Sequence, residues 1–252
     1  MQLIDLTSTM RSDMPQPDER RAATLPSERL ARAKRSFVTR RVPDSAFRYL
    51  LWGTMRPKAG DLVLAKVLRL GQHTGIQRPD GRRAKLFPGD EIIIAYGARY
   101  APNQFESELP TDLGPCHLVA AGGMASTAVS RHKRIKRATT IEPIGLLADE
   151  NQRVLNLRDF RLPDIRVQRQ LRAPVIAVAG TAMDAGKTTA VADLIRGLHR
   201  AGFRVGAAKV TGTGACGDYF HFVDAGADEV MDFTDAGYGS TLNIPVPELE
   251  SV

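Results

Sequence analysis

The segment Gly180-Thr181-Ala182-Met183-Asp184-Ala185-Gly186-Lys187-Thr188-Thr189 constrains this chain more than any other. It lies between an apolar run, Val175-Ile176-Ala177-Val178-Ala179, and a stretch with helical periodicity in which Val191, Leu194, Ile195 and Leu198 share one face. An unbroken apolar run suits a strand buried on both faces. Gly202 stands where a helix stop belongs. A glycine-bearing turn between a strand and a helix N-terminus turns backbone N–H groups toward an anion, and the helix dipole adds to the attraction. The segment therefore predicts a phosphate-binding loop. Lys187 would reach the β- and γ-phosphates of a nucleotide, and the Thr188 hydroxyl would bind Mg²⁺.

Arg204–Lys209 follows as a second strand, 218–225 as a helix and 229–233 as a third strand. The order β-α-β-α-β is the beginning of a doubly wound sheet. Upstream, residues 46–165 read as β. Strands are expected at 62–68, 84–87, 91–96, 117–120, 143–147 and 154–157, with turn signals at Pro79-Asp80-Gly81, Pro88-Gly89-Asp90 and Asp149-Glu150-Asn151. Short strands with frequent turns suggest a small barrel or sandwich. Residues 1–45 form a basic arm with one short helix from Ser27-Glu28, the remainder extended or ordered only against a partner. The expected class is thus α/β, a barrel-like β-rich domain at 46–165 preceding a P-loop nucleotide-binding domain at 174–252.

Charge divides the same way. From Ala173 onward there are five Lys/Arg against ten Asp/Glu, and because the whole chain carries +7, the first 172 residues carry +12. A basic module suits nucleic acid, an acidic partner or a solvated surface. Its densest run is Arg131-His132-Lys133-Arg134-Ile135-Lys136-Arg137, and Tyr96, Tyr100 and Phe105 are the aromatics nearest to serving as stacking platforms or packing a core. No apolar run is long enough to span a bilayer, and MQLIDLTSTM lacks the basic-then-apolar pattern of a secretory signal. The two cysteines, Cys116 and Cys216, form no disulfide framework, which suits reduced thiols in the cytoplasm. The five histidines show no metal-ligand spacing beyond the pair His221-x-x-Asp224, which is read as a surface pair.

The form Gly-Thr-x-x-x-x-Gly-Lys-Thr, five residues separating Gly180 from Gly186-Lys187, resembles the loop of dethiobiotin synthetase. It is also similar to loops of cobyric-acid-synthase-type and molybdopterin-guanine-dinucleotide adapter proteins, all of one P-loop class. The resemblance covers about residues 174–240. Asp184 holds the acidic position two before Gly-Lys, and Ala207-Ala208-Lys209-Val210-Thr211-Gly212-Thr213-Gly214 resembles a strand ending in lysine and a small-residue loop. Ala182 stands where partition ATPases carry a signature lysine, which points away from that branch.

The resemblance implies ATP and Mg²⁺ as cofactors and residues 180–189 as the nucleotide-binding loop. It gives catalytic parts to Lys187, Lys209 and Asp184, and Mg²⁺ to Thr188 with Asp218 or, second, Asp224. The implied activity is phosphorylation or activation of a small-molecule, carboxylate-type acceptor. The alternative is a nucleotide-controlled binding or adapter protein whose basic N-terminal part contacts nucleic acid or an acidic partner. The class also has more strands than 174–252 supplies, and a later acidic residue for which Val230-Met231-Asp232 is the nearest match. The rest of the sheet is therefore expected from a longer chain or from a second copy in a homodimer.

Overall fold

The computed structural model describes residues 20–163, 173–181 and 183–249. Along the chain come β1 (Arg21–Thr24), α1 (Ser27–Arg32), β2 (Lys34–Arg35), β3 (Tyr49–Trp52), β4 (Leu62–Arg69), β5 (Gly75–Gln77) and β6 (Arg83–Lys85). Next are β7 (Glu91–Tyr96), β8 (Arg99–Tyr100), β9 (Phe105–Glu108), β10 (Cys116–Ala120), β11 (Met124–Arg131) and β12 (Thr139–Ala148). The final third holds α2 (Lys187–Arg200), β13 (Gly206–Lys209), α3 (Cys216–Ala225), β14 (Glu229–Asp232) and α4 (Val246–Leu249). The protein is mixed α/β and mostly strand, and no helix among the described residues is long and apolar enough to cross a membrane.

A ten-stranded mixed sheet forms the body, in the order β1-β3-β12-β4-β7-β11-β9-β8, with β10 beside β11 and β12 and β2 beside β7. Its apolar strands are covered on both faces, which is why they read as continuous runs rather than alternating ones. Along β4, Leu62 and Leu64 enter one core cluster while Val63, Ala65 and Val67 enter the other. In β7, Ile93 and Ala95 join the first, and Ile92, Ile94 and Tyr96 the second. The two-residue period of a strand thus distributes one sequence between two cores. The β5–β6 hairpin adds Ile76 and Ala84, and the residue after it Leu86, to the second core.

The barrel expected from the short strands is not what forms. The sheet path runs on to open edges at β1 and β8, although the ladders of β12, β4, β7, β11 and β10 join one to the next in a ring. One reason lies in β7, whose ladder beyond β4 is shared: Ile92 and Ile93 pair in parallel with β2, while Ala95 and Tyr96 pair in parallel with β11. Register shifts in the β11–β9, β12–β4 and β10–β11 ladders mark bulges that bend the strands locally.

The N-terminal arm is likewise not separate from position 20 onward. β1 pairs with β3, β2 with β7, and Phe37, Val38 and Val42 are buried. Residues 1–19 of the expected arm lie outside the described residues. At 154–157, expected as a strand, Val154 and Asn156 form only isolated bridges, and Leu157–Phe160 is a 3-10 turn that Asn156 caps.

In the final third, β13 and β14 pair in parallel, Lys209 opposite Asp232. Ala192, Ile195, Phe222, Ala225 and Val230 form a third core between α2, α3 and this strand pair. Two expectations change here. Val175–Ala179 forms no strand: it has no ladder partner among the described residues, and Val175 and Ile176 are 92% and 59% exposed. The buried stripe of α2 is also turned, with Ala192 and Ile195 inside and Leu194 outside, because the helix packs on α3 and has no strand at 175–179 beside it. A two-stranded parallel ladder is what stands where a doubly wound sheet was expected.

Candidate functional site

The loop before α2 bends back on itself. Asp184 and Gly186 have φ of +61° and +84°, left-handed values that only glycine adopts without strain, and Gly186 is the residue from which α2 starts. Lys187, the first helical residue, lays its stem over Gly180: a Cβ built on Gly180 would lie 3.0 Å from Lys187 Cγ and 3.5 Å from Nζ. Gly186, at the N-cap of α2, has no side chain with which to cap the N–H groups of the first turn. Lys187 and Thr188 are half-buried there, and Thr181, Met183, Asp184, Ala185 and Thr189 are exposed. Ala182, expected in the same loop, lies outside the described residues.

Asp184 is anchored from the sheet body: Asn103 Nδ2, in the β8–β9 turn, donates to Asp184 Oδ2 at 2.7 Å. Lys209 and Asp218, expected at phosphate and at Mg²⁺ respectively, are in contact with each other, Lys209 Nζ donating to Asp218 Oδ2. The pair joins the end of β13 to the first turn of α3, and both side chains are about one-third exposed. Asp224, the second choice for Mg²⁺, is exposed near the other end of α3, about 9 Å further along the axis at 1.5 Å per residue. His221 is exposed beside it, and no group of three or more His, Cys, Asp or Glu among the described residues is arranged to hold a metal ion.

The small-residue loop after Lys209 serves first as a joint. A Cβ on Gly122, in the β10–β11 turn, would lie 2.0 Å from the Gly214 carbonyl oxygen, and one on Gly214 would meet Val38 Cγ1 at 2.3 Å. Gly212 N–H donates to Thr241 Oγ1 at 2.8 Å. Backbone of the final third thus touches backbone of the sheet body, which only glycine at these positions permits.

Beside this joint is a polar network that the sequence did not disclose. Arg40 Nη2 lies 2.7 Å from Asp235 Oδ2 and 3.1 Å from Asp232 Oδ1, and Arg41 Nε lies 2.7 Å from Asp235 Oδ1. Arg40 also donates to Thr234 Oγ1, which donates to Asp232, and its guanidinium lies over the Phe37 ring at 4.1 Å and the Tyr219 ring at 5.2 Å. Asp232, the nearest match for the later acidic residue, is therefore buried and committed to an arginine from the N-terminal region. Its signal was present only as Arg40-Arg41 and Asp232-x-x-Asp235, two pairs with nothing in the sequence to join them.

Burial pushes the Cys116 thiol up to about 12 and raises that of Cys216 as well, so both are poor nucleophiles. The end of β11 and the basic run after it border a cavity of about 360 Å³ with Arg69, His117 and Phe105. Tyr96 and Phe105 are fully buried, which makes them core residues, whereas Tyr100 is exposed. Compared with known proteins, the chain matches no family model, no curated protein and no solved structure.

Proposed function

We propose that residues 180–189 bind ATP with Mg²⁺, and that the chain uses them to transfer phosphate to a small-molecule acceptor of the carboxylate type. The observation that carries this reading is the fold of the loop: left-handed turns at Asp184 and Gly186, an uncapped helix start, and Lys187 folded back over Gly180. First-turn amides and an ammonium group facing one loop are what a polyphosphate requires.

Two oxygen donors are proposed for the metal. Thr188 and Asp218 would hold Mg²⁺, which would neutralise charge on the β- and γ-phosphates. Lys187 neutralises the transferred phosphate, and Lys209 supplies a second cation at the end of β13. Lys209 and Asp218 neutralise each other, and nucleotide binding would exchange that ion pair for contacts to phosphate and metal. The catalytic contribution is positioning and charge neutralisation. Lys187→Ala should lose nucleotide hydrolysis and keep its melting temperature; unchanged phosphate release in that variant would sink the reading.

A second reading rests on the Asn103–Asp184 hydrogen bond, which ties the loop to the basic sheet body. In it the chain is a nucleotide-controlled binding or adapter protein, and occupancy of the loop alters how the N-terminal part meets nucleic acid or an acidic partner. Saturating Mg-ATP would then raise stability by about 2.7 kcal/mol at a hundredfold excess over Kd, without phosphate release. Steady phosphate release decides for the enzyme.

A further inference from the structure

The cavity at the end of β11 contains more positive charge than the chain neutralises. Arg69, Arg131 and Arg137 line it, and no Asp or Glu does. Among the described residues the guanidinium groups of Arg69 and Arg137 have no hydrogen-bond or ion-pair partner; that of Arg131 donates to the Ile135 carbonyl. One carboxylate is tied to the wall: Glu106 accepts from Ser130 Oγ at 2.9 Å.

His117 adds a neutral donor. Ala128 N–H donates to its Nδ1 at 3.2 Å, so the neutral ring carries its proton on Nε2, on a residue that lines the cavity. Burial, and then the charge of Arg69, lower the pKa of this imidazole, which keeps it uncharged near neutral pH. The rest of the lining is apolar: Phe105 and Ala138 are buried, and Ala128 and Val129 complete it.

Gathering three like charges around one apolar-floored cavity is unfavourable unless an anion enters it. Guanidinium forks match the two oxygens of a carboxylate or phosphate, and the volume falls in the range of small-molecule sites, about 300–1,000 Å³. We infer that this cavity is a binding site for a small organic oxyanion, a carboxylate or phosphate monoester carrying an apolar body. The oxyanion bonds to Arg69, Arg137 and His117, and the body rests on Ala128 and Val129, the accessible apolar part of the lining. Nucleic acid is the poorer match, because the lining aromatic, Phe105, is fully buried and offers no face on which a base could stack. The inference does not depend on nucleotide binding at residues 180–189, although the β8–β9 turn that supplies Asn103 to Asp184 also leads into Phe105.

The test uses the full chain with Lys187→Ala, which removes the lysine of the phosphate loop as a competing anion site. Calorimetry is run with phenyl phosphate and benzoate, and with benzyl alcohol as the uncharged analogue. One or both anions should bind, the tighter one identifying the headgroup, and benzyl alcohol should not. Adding Arg69→Gln and Arg137→Gln should weaken binding by about tenfold or more, since each removes a charged hydrogen bond. Lys133→Gln with Arg134→Gln removes as much charge from the same basic run without touching the cavity, and should change affinity by no more than about twofold. All four positions are exposed, so the variants should melt with the parent.

The inference fails if neither anion binds, if benzyl alcohol binds as well as they do, if the Arg69/Arg137 variant binds unchanged, or if the Lys133/Arg134 variant loses as much. It also fails if a short oligothymidylate binds with a steep fall in salt and displaces the small anions, which would make the run a nucleic-acid contact.

Discussion

Asp235→Ala tests whether the final third and the sheet body form one cooperative structure. The Asp235 side chain is 1% exposed and takes three contacts: Arg40 Nη2 at 2.7 Å, Arg41 Nε at 2.7 Å and the Asp232 backbone N–H at 2.9 Å. Removing one partner of a buried ion pair costs about 3–5 kcal/mol, because the charge left behind is desolvated and uncompensated. Here Arg40 keeps Asp232, Thr234 and the two aromatic faces, and Arg41, whose side chain is 40% exposed, can turn to water. The cost therefore lies at the lower end, about 3 kcal/mol, with about 1 kcal/mol more for the stranded Asp232 N–H. With a urea slope of about 3 kcal/mol/M the midpoint should fall by roughly 1 M. Trp52, the one tryptophan, reports on the sheet body from β3, and far-ultraviolet circular dichroism weights the helices. The two transitions should coincide in the parent and separate in Asp235→Ala, the helical signal going first. Replacing the buried charges together, Arg40→Met with Asp232→Asn and Asp235→Leu, should bring stability back toward the parent, since no buried charge is then stranded. A loss below about 0.5 kcal/mol in Asp235→Ala, typical of a surface substitution, would refute the reasoning.

His73 is buried with Nε2 2.9 Å from the Val119 carbonyl, and burial, then the charge of Arg99, lower its pKa to about 4. The unfolded imidazole takes its proton near 6.5, so this contribution is full above that pH and falls as pH drops toward 4, by about 3 kcal/mol in all. Melting temperatures of His73→Gln at pH 7 and pH 5 should differ less than those of the parent; an equal difference counts against it. Gly186→Ala meets no atom within 4 Å but puts a side chain at φ +84°. It should cost about 1–2 kcal/mol of loop conformation, seen as about a tenfold rise in the nucleotide Kd by calorimetry with little change in melting temperature. Gly122→Ala drives a methyl into the Gly214 carbonyl, with no flexible side chain to yield. Limited proteolysis within the final third should become faster, and an unchanged cleavage rate would show that the joint tolerates the shift.

What the sequence disclosed of the fold was what is local. β7 lies at the expected 91–96, and β4, β10 and β12 begin and end near or beyond their apolar runs, because two buried faces leave no alternation to misread. β1 and β2 were missed for the opposite reason: Arg21–Thr24 and Lys34–Arg35 are short, polar and without period, and they are strands because β3 and β7 offer ladder edges to them. Val175–Ala179 shows the same dependence reversed. Its composition is that of a buried strand, but hydrogen bonds come from a neighbour, and β13 pairs with β14 rather than with this run.

The candidate site divides along the same line. The loop from Gly180 to Thr189 is contiguous, and the chemistry proposed for it rests on spacing, so its residues are legible in the sequence alone. The Arg40–Asp232–Asp235 network joins positions more than 190 apart in sequence, and no local pattern carries that information. Its effect on the reading is concrete. A carboxylate at the end of a parallel strand invites assignment to a metal, and Asp232 lies in register with Lys209, next to the expected site. With Arg40 and Thr234 on its Oδ1 atom, that carboxylate is already neutralised, and drawing it toward a cation would strand a buried guanidinium. Asp218, one-third exposed and held only by Lys209 among the ion pairs of the described residues, can be released at far smaller cost. The choice between the two acidic residues therefore turns on what each must give up, and for the proposed Mg²⁺ site burial favours Asp218.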